Sequence, residues 1–423
     1  MITIVSQPIG NHKITKSCFF FVYEGVITLM FEKVPSAPPD PILGLTEAYQ
    51  QDAHAEKVNL TVGVYKDESG VTPILNCVRE AEHRLLTQEN TKAYLGIAGF
   101  PDFQRHVQDL LFGSELQVQA ATVQTPGGTA ALRVAADFIK QHFSGMSVWL
   151  SDPTWANHAN VFHAAGLQTD KYTYFDAAAN QLDIDGMLQA LENIPNGHAV
   201  LLHACCHNPT GVDPSLEQWE QITDVVVRRG LLPVVDFAYQ GFGDGLEDDA
   251  AGLRLLMAKA PELLICNSFS KNFGLYRERV GAMTVVASSS DTVSAAFSQI
   301  KRSVRANYSN PPAHGAAIVS TVLADAALWE QWEVEVAQMR ERIQAMRDKF
   351  VETTQAMGTP VDFSFLQQQR GMFSFSGLTP LQVDELRHQH AIYVVGSGRI
   401  NVAGLTDENM DRVCRAIVAV LSS

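Results

Sequence analysis

Cysteine is scarce in this sequence, and no stretch of it is long and apolar enough to cross a bilayer. Six cysteines stand among 423 residues, too few for the disulfide framework of a small secreted protein, and they favour a reducing compartment. No run approaches the roughly 18 consecutive apolar residues of a membrane-spanning helix. We therefore expect a cytoplasmic protein that has no membrane partner.

Positive charge is also in short supply. Lys and Arg total 31 against 46 Asp and Glu, which gives a formal net charge of −15. An acidic surface repels phosphate backbones, and the sequence has no basic run, so nucleic acid is not an expected partner. The P-loop pattern is absent as well. Gly396-Ser-Gly398-Arg-Ile-Asn401 begins like a dinucleotide fingerprint but carries Asn at its third glycine position.

What remains is an ordinary globular composition with an unusual beginning. The apolar run Ser17–Tyr23 is interrupted by Glu24, so it is too short for a membrane span and makes a poor signal sequence. We expect residues 1–29 to be a loose extension, with Met30 as the working start; a transit peptide is the alternative. Residues 34–41 contain four prolines and predict an extended arm, within an N-terminal arm of residues 30–41.

From about residue 73 onwards, short apolar runs alternate with segments of helical period. This pattern predicts an α/β fold with a mostly parallel sheet and crossover helices. The expected strands are 148–150, 199–202, 231–235, 262–266 and 281–286. A long helical pattern follows over 313–357, and residues 360–423 should form a compact α+β segment. We expect a large domain of residues 73–338 and a small domain of 42–72 plus 339–423.

Three stretches could carry chemistry. Gly127-Gly128-Thr129 opens a helix, where exposed N–H groups and the helix dipole favour an anion. Asp236 follows a buried apolar run, so its carboxylate needs a cationic or N–H partner. Lys271 stands at a strand end among hydroxyls. A lysine is more often a solvated surface charge, but a desolvated amine there could form an imine with a carbonyl compound.

A fourth stretch, His203-Ala-Cys-Cys-His207, resembles a metal site at first sight. Strand alternation would place His203, Cys205 and His207 on one face. No second Cys/His cluster completes four ligands. We therefore interpret these residues as core-facing strand residues beside a loop, and no metal is expected.

Seven motifs together are specific to one family. They are Tyr94-Leu-Gly-Ile-Ala-Gly, Pro153-Thr-Trp-Ala-Asn-His158, His207-Asn-Pro-Thr-Gly211, Asp236-Phe-Ala-Tyr-Gln-Gly-Phe, Ser268-Phe-Ser-Lys-Asn-Phe-Gly, Arg305-Ala-Asn-Tyr-Ser-Asn-Pro-Pro and Ser397-Gly-Arg399-Ile-Asn-Val-Ala-Gly. From about Phe31 to its C-terminus the chain resembles the class I (fold type I) aminotransferases, and most of all their aspartate-specific members. The resemblance implies pyridoxal 5'-phosphate as cofactor and a three-layer αβα fold.

The resemblance also implies roles for the cofactor-site residues. Lys271 would bind the cofactor covalently and later move the substrate proton. Asp236 would keep the ring nitrogen protonated, supported by His158. Asn208 and Tyr239 would hydrogen-bond the ring oxygen, with Trp155 over one ring face. The residues expected around the phosphate are Gly128, Thr129, Ser268, Ser270, Arg279 and Tyr94, the last from a second subunit.

For the substrate, the resemblance implies two arginines, one for each carboxylate. Arg399 would bind the α-carboxylate, whereas Arg305 and Ser309 of the partner subunit would bind the distal carboxylate. Trp155, Asn208 and Gly63 complete the expected substrate contacts. For each arginine a surface ion pair is the alternative. The implied assembly is a homodimer with shared active sites, acting on amino acids and 2-oxo acids.

The implied activity is transfer of the amino group from L-aspartate to 2-oxoglutarate. An aromatic-amino-acid aminotransferase of the same subgroup is the first alternative, although Lys66, Thr72 and Asn272-Phe273-Gly274 resemble the aspartate-selective members. A protein that binds pyridoxal phosphate without transaminase activity is the second alternative. The chain departs from the family at Thr61, where relatives often carry glycine, and in a shorter stretch before the Gly127 turn.

Overall fold

The structure is a computed structural model that describes residues 31–36, 43–113 and 117–422. Residues 31–36 belong to a separate N-terminal unit, in which Phe31–Lys33 form one turn of 3₁₀ helix. The expected extension 1–29 and most of the proline-rich arm lie outside the described residues. So does part of the shortened stretch before Gly127. Those predictions stay predictions.

Short strands and longer helices alternate along the chain. The strands are β1 (Val58–Asn59), β2 (Gln119–Pro126), β3 (Val148–Asp152), β4 (Thr169–Thr173), β5 (Phe175–Asp176), β6 (Gln181–Leu182), β7 (Ala199–His203), β8 (Leu232–Phe237), β9 (Leu263–Ser268), β10 (Val280–Ala287), β11 (Phe373–Phe375), β12 (Ile392–Tyr393) and β13 (Arg399–Asn401). The helices are α1 (Leu43–Gln51), α2 (Asn76–Gln88), α3 (Pro101–Phe112), α4 (Gly128–His142), α5 (Asn157–Ala164), α6 (Ile184–Asn193), α7 (Leu216–Arg228), α8 (Asp248–Lys259), α9 (Ser290–Asn307), α10 (His314–Ala324), α11 (Ala326–Ala356), α12 (Pro380–His390) and α13 (Asp407–Ser422).

The main sheet has seven strands in the order β2-β10-β9-β8-β7-β3-β4. β10 is antiparallel to both its neighbours, and the other pairs from β9 to β4 are parallel. The predicted strands all lie in this sheet, so the mostly parallel α/β architecture is confirmed. β2 and β4 were not predicted, because their polar residues interrupt the apolar pattern.

Helices cover both faces of this sheet, which gives three αβα layers. Alternate residues of one strand enter different cores: Val200 packs into one, with side chains of α7 and α8, and Leu201 into the other, with side chains of α4 and α5. Strands buried on both faces are near-continuously apolar, as β7 and β10 are. The polar residues that could carry chemistry therefore lie at the strand ends, as His203 and Asp236 do, and in the loops beyond them.

The long helical pattern over 313–357 is not one helix, contrary to our expectation. It breaks at Asp325, whose carboxylate accepts from the backbone N–H groups of Ala327 and Leu328 and so begins α11. The predicted apolar stripe of α11 is correct. Its members Met339, Ile343, Met346 and Phe350 are buried.

Two small sheets contain strands from the last part of the chain. β1 pairs in parallel with β12 and so joins residues 58–59 to residues 392–393, whereas β11 pairs antiparallel with β13. These strands lie against α11, α12 and α13 in the larger of the two cores. The division into a large and a small domain stays a prediction. None of the described helices is long and apolar enough to span a membrane.

Candidate active site

The candidate site lies where β7, β8 and β9 end. His203 and Asp236 are neighbours in the sheet, and Asp236 is also paired with Cys266. The carboxyl ends of parallel strands meet at one edge of the sheet, and ligands of α/β folds bind there. Lys271 follows three residues after the last residue of β9, so the topology brings the predicted amine and carboxylate to the same edge.

Asp236 is held by a histidine from α5. The Nε2 atom of His158 lies 3.0 Å from Asp236 Oδ2, and its Nδ1 atom lies 2.8 Å from Thr154 Oγ1. Burial raises the pKa of the Asp236 carboxyl, but the hydrogen bond and charge of His158, helped by His203 and Lys271, lower it more, so the net pKa lies below its ordinary value. Asp236 therefore stays an anion.

The surroundings of Lys271 lower the pKa of its amine. Its Nζ atom lies over the Tyr239 ring, 4.6 Å from the ring centre. Burial lowers the pKa of Lys271 to about 8, against an opposing effect of Asp236, and Arg279 lowers it further. An amine with such a pKa is partly neutral near physiological pH, and only a neutral amine attacks a carbonyl or accepts a proton.

A candidate anion-binding site lies next to this amine, at the start of α4. Gly127 has a φ of +82°, and a Cβ there would lie 2.5 Å from Arg279 Nη2, so only glycine lets the guanidinium approach. Ser268 Oγ donates to Ser270 Oγ at 3.1 Å, and Arg279 Nη1 lies 3.5 Å from the same Ser270 atom. Hydroxyls, a guanidinium and the N–H groups at Gly128 and Thr129 together suit a phosphate.

Arg399 is linked to the surroundings of Lys271 through Asn208 and Tyr239. It is 4% exposed, and its guanidinium lies over the Phe373 ring, 4.1 Å from the ring centre. Nη1 donates to Asn208 Oδ1 at 3.3 Å and Nη2 donates to the Thr61 carbonyl oxygen at 2.6 Å. Nε is buried without a hydrogen-bond partner in the described residues. Burial lowers the pKa of Arg399 to about 10, so it remains a cation at neutral pH.

The remaining residues predicted within one chain border the same space. Asn208 Nδ2 donates to the Tyr239 hydroxyl at 3.4 Å. Burial raises the pKa of Tyr239 well above its ordinary value, so its phenol stays protonated. Trp155 meets His158 edge to face with ring centres 5.2 Å apart. Gly63 faces Phe373, whose Cζ would lie 2.5 Å from a Cβ at that position.

Three predicted residues are not joined to this cluster. Tyr94 is 92% exposed. Arg305 is exposed too, and its Nη1 donates to Ser309 Oγ. Over the described ranges, none of the three has a hydrogen bond, ion pair or ring contact with Lys271, Asp236 or Arg399. Their predicted role was in the partner subunit's site, so it stays a prediction.

Sequence reasoning missed several neighbours. Phe373 lies under Arg399, and nothing marks it among 21 phenylalanines. Asn401 donates to the carbonyl oxygens of Val62 and Val64 at 2.7 and 3.0 Å, which holds the segment around Gly63. Such contacts join segments that are far apart in the chain, so no local sequence pattern predicts them.

The interpretation of His203 and His207 as strand neighbours needs correction. β7 ends at His203, so His207 lies in the loop beyond, where Ser151 Oγ and Thr210 Oγ1 lie 2.9 and 2.8 Å from its ring nitrogens. His203 is buried beside His158, and ligand atoms of these two histidines and Asp236 lie within 4.8 Å of one another. In that group His158 Nε2 already bonds to Asp236. That no metal binds stays a prediction.

These features fit one kind of cofactor. The Lys271 amine could react with a carbonyl group, the Asp236 anion could pair with a protonated ring nitrogen, and the anion-binding site at Gly127 could hold a phosphate. Two of these features are not needed for packing alone. Gly127 leaves no room for a side chain beside Arg279, and the buried Asp236 carboxylate is hydrogen-bonded by His158. The residues therefore fit pyridoxal phosphate.

The chain also matches known proteins along most of its length. A family model described as aminotransferase class I and II matches residues 55–417. An aspartate aminotransferase of Escherichia coli is 54% identical over 396 residues, covering 93% of this chain and 100% of that protein. An aromatic-amino-acid aminotransferase of Pseudomonas aeruginosa is 50% identical over 394 residues, covering 92% and 98%.

One solved structure has the same fold and carries a cofactor. It is an aromatic-amino-acid aminotransferase of Burkholderia pseudomallei covalently bound to pyridoxal phosphate, with a TM-score of 0.90 and 47% identity, covering 93% of this chain and 99% of that one. The fold, the arrangement of Lys271, Asp236 and Arg399, and these matches lead to one conclusion. The chain belongs to the class I and II aminotransferase family.

Proposed function

We propose that this aminotransferase transfers the amino group of L-aspartate to 2-oxoglutarate, giving oxaloacetate and L-glutamate. The observation that carries the proposal is the meeting of Lys271, the Asp236–His158 pair and the buried Arg399 around one space. The preference for aspartate is supported by the relative of that name, 54% identical to the chain. We also propose a cytoplasmic location, supported by five free cysteines among the described residues.

Each residue of the site would have a defined task. Pyridoxal phosphate supplies an electron sink for the electrons released at the substrate Cα. Lys271 Nζ would bind the cofactor and then carry the proton from the substrate Cα, as its pKa of about 8 allows. Asp236 would hold a proton on the ring nitrogen, because an anion beside it stabilises that charge. His158 would orient Asp236 through the 3.0 Å contact.

Substrate binding would depend on Arg399. Its buried cation can accept the α-carboxylate that all amino acids and 2-oxo acids share. Asn208 and Trp155 would border the same ligand, and Gly63 would leave room above Phe373. The phosphate would be held by the serines, Arg279 and the start of α4, as described above.

We further propose a homodimer with shared sites. Tyr94 and Arg305 are exposed on this chain although the family resemblance gives both a role in binding. A second subunit that brings these residues to the site would explain their exposure. Tyr94 would then reach the phosphate, and Arg305 with Ser309 would bind the distal carboxylate.

A second candidate function has its own support. The aromatic-amino-acid aminotransferases of Pseudomonas aeruginosa and Burkholderia pseudomallei are nearly as similar to the chain. Since Arg399 would bind the carboxylate common to all amino acids, its presence does not separate the two functions. A protein that binds the cofactor without turnover is the remaining alternative.

A substrate panel decides between these candidates. We expect the purified protein to transfer amino groups to 2-oxoglutarate with a higher kcat/KM for aspartate than for tyrosine or phenylalanine. Lys271→Ala should abolish the transfer and keep the circular dichroism of the wild type, whereas Lys349→Ala on the surface should change neither. Activity of Lys271→Ala at the wild-type rate would overturn the assignment, and a higher kcat/KM for tyrosine would favour the aromatic function.

A further inference from the structure

Among the described residues, the backbone carbonyl of Thr61 accepts the shorter of the two hydrogen bonds that the Arg399 guanidinium donates. The Thr61 carbonyl oxygen accepts from Arg399 Nη2 at 2.6 Å, against 3.3 Å for the bond between Nη1 and Asn208 Oδ1. Thr61 is fully buried. It comes two residues after β1, whereas Arg399 opens β13. The position of this one carbonyl therefore bears directly on the direction in which the guanidinium points.

The Thr61 side chain fixes that carbonyl. Thr61 Oγ1 and the Thr61 backbone N–H both donate to Asn59 Oδ1, at 2.7 and 2.9 Å. Asn59 is itself fixed, because it is paired with Tyr393 in the sheet of β1 and β12. A turn closed by two donors on one acceptor leaves the peptide that follows little freedom to rotate. A glycine at this position would keep only the backbone half of the arrangement.

The segment that follows is held from the other side. Asn401 Nδ2 donates to the carbonyl oxygens of Val62 and Val64 at 2.7 and 3.0 Å, and the Asn401 N–H donates to the Leu60 carbonyl oxygen at 2.9 Å. Asn401 and Arg399 lie on the same strand. The chain from Leu60 to Val64 and the arginine are thus fixed to each other.

We infer that Thr61 is a positioning residue, which holds the Arg399 guanidinium in the orientation that receives the α-carboxylate of the substrate. The inference rests on the proposed role of Arg399. With Nη1 and Nη2 directed by Asn208 and Thr61, the guanidinium plane is fixed over Phe373 before any ligand arrives. Arginine has five N–H donors, so hydrogen-bond capacity for a carboxylate remains. A cation oriented in advance loses less freedom on binding.

The test compares holoenzymes that differ in one hydroxyl group. Thr61→Val keeps the shape and removes the donor, and Thr61→Ser restores it. Isothermal calorimetry with succinate, an unreactive dicarboxylate, measures binding without turnover. We expect Thr61→Val to raise the Kd for succinate about threefold to tenfold, the usual effect of one lost hydrogen bond. The KM for aspartate and for phenylalanine should rise by the same factor while kcat changes less than twofold, and Thr61→Ser should restore wild-type values within twofold.

A matched control separates positioning from stability. Thr354→Val removes another buried threonine hydroxyl, which donates to the Phe350 carbonyl oxygen in α11. It should lower the thermal midpoint and leave the Kd for succinate unchanged. An unchanged Kd in Thr61→Val, or an equal rise in both valine variants, overturns the inference while wild-type transamination leaves the proposed function standing. A wild-type holoenzyme that transfers no amino group overturns the proposed function, and the inference with it.

Discussion

Arg399 and Arg305 are the same residue type in opposite surroundings. Arg399 is buried against Phe373, and Arg305 is exposed at the end of α9. The net charge of −15 repels a dicarboxylate, so local cations must overcome the mean field. In the proposed complex Arg399 would bind the carboxylate of every amino acid, and Arg305 the one that only aspartate and glutamate carry.

This difference predicts different losses on substitution. Losing a desolvated bidentate charge pair costs about 2–5 kcal/mol, or roughly 30- to 5,000-fold. Arg305→Leu should lower kcat/KM for aspartate at least about tenfold and spare phenylalanine, whereas Arg399→Leu should lower both. Steady-state kinetics with both substrates on both variants measures this. Equal losses for aspartate and phenylalanine in Arg305→Leu would show that Arg305 does not bind the side-chain carboxylate.

Lys271 should destabilise the protein when the cofactor has been removed. Its pKa falls from 10.5 in the unfolded chain to about 8 in the fold, because burial disfavours the ammonium. A depressed lysine pKa costs stability in full below the folded value, and the cost fades as the pH rises past the unfolded value. Lys271→Met should therefore be more stable than the wild type at pH 7, and the gain should shrink by about 2 kcal/mol at pH 10.

Urea unfolding of the two cofactor-free proteins at both pH values measures this gain. Lys349→Met is the matched control, because its amine is exposed beside Asp407. It should show no gain at pH 7. A gain for Lys271→Met that is the same at both pH values would mean that packing, and not the ionisation of Lys271, is responsible.

At the scale of elements, the break between α10 and α11 depends on Asp325. Its carboxylate caps α11 and also forms an ion pair with Arg84 at 2.8 Å. Asp325→Ala should lower the free energy of unfolding by about 1–2 kcal/mol, because the cap is lost. Asp325→Asn keeps a capping oxygen and loses only the exposed ion pair, so it should cost less than about 1 kcal/mol. Chemical denaturation measures both, and equal losses would assign the effect to Arg84.

The same break shows why sequence reasoning reached only part of the structure. The stripe from Met339 to Phe350 is local, so its period of 3.6 could be recognised. A single Asp inside a helical pattern gives no such signal, since aspartate occurs at exposed helix positions as well as at caps. The strands β7 and β8, which carry His203 and Asp236 near their ends, are predicted by their apolar runs. Thr61 looked like a mere departure from the family, because its partners Asn59 and Arg399 meet only in the fold.

At the scale of the whole molecule, the proposed dimer can be tested by mixing subunits. An Arg305→Leu subunit keeps Lys271, and a Lys271→Ala subunit keeps Arg305. A hybrid dimer then contains one complete site if the two residues serve the same site from different subunits. Random exchange makes half the dimers hybrid, so about a quarter of the wild-type activity should return.

The control pairs two residues of one subunit. Mixing Arg399→Leu with Lys271→Ala should restore nothing, because no hybrid site would contain both intact residues. Exchange is verified by native mass spectrometry of differently tagged subunits. If verified hybrids of the first pair stay inactive, the sites are not shared.

The hydrogen bond between Thr61 and Arg399 also bears on the order in which parts of the protein form during synthesis. These residues are 338 positions apart in the chain, and β1 has its pairing partner in β12, almost as far away. During synthesis the N-terminal segment leaves the ribosome long before the strands that hold it. Contacts between such distant segments form late, because long loops must close first. A nascent chain that stops before Arg399 contains all seven strands of the main sheet but lacks the arginine that we propose to bind the substrate carboxylate, so we expect activity only after synthesis is complete.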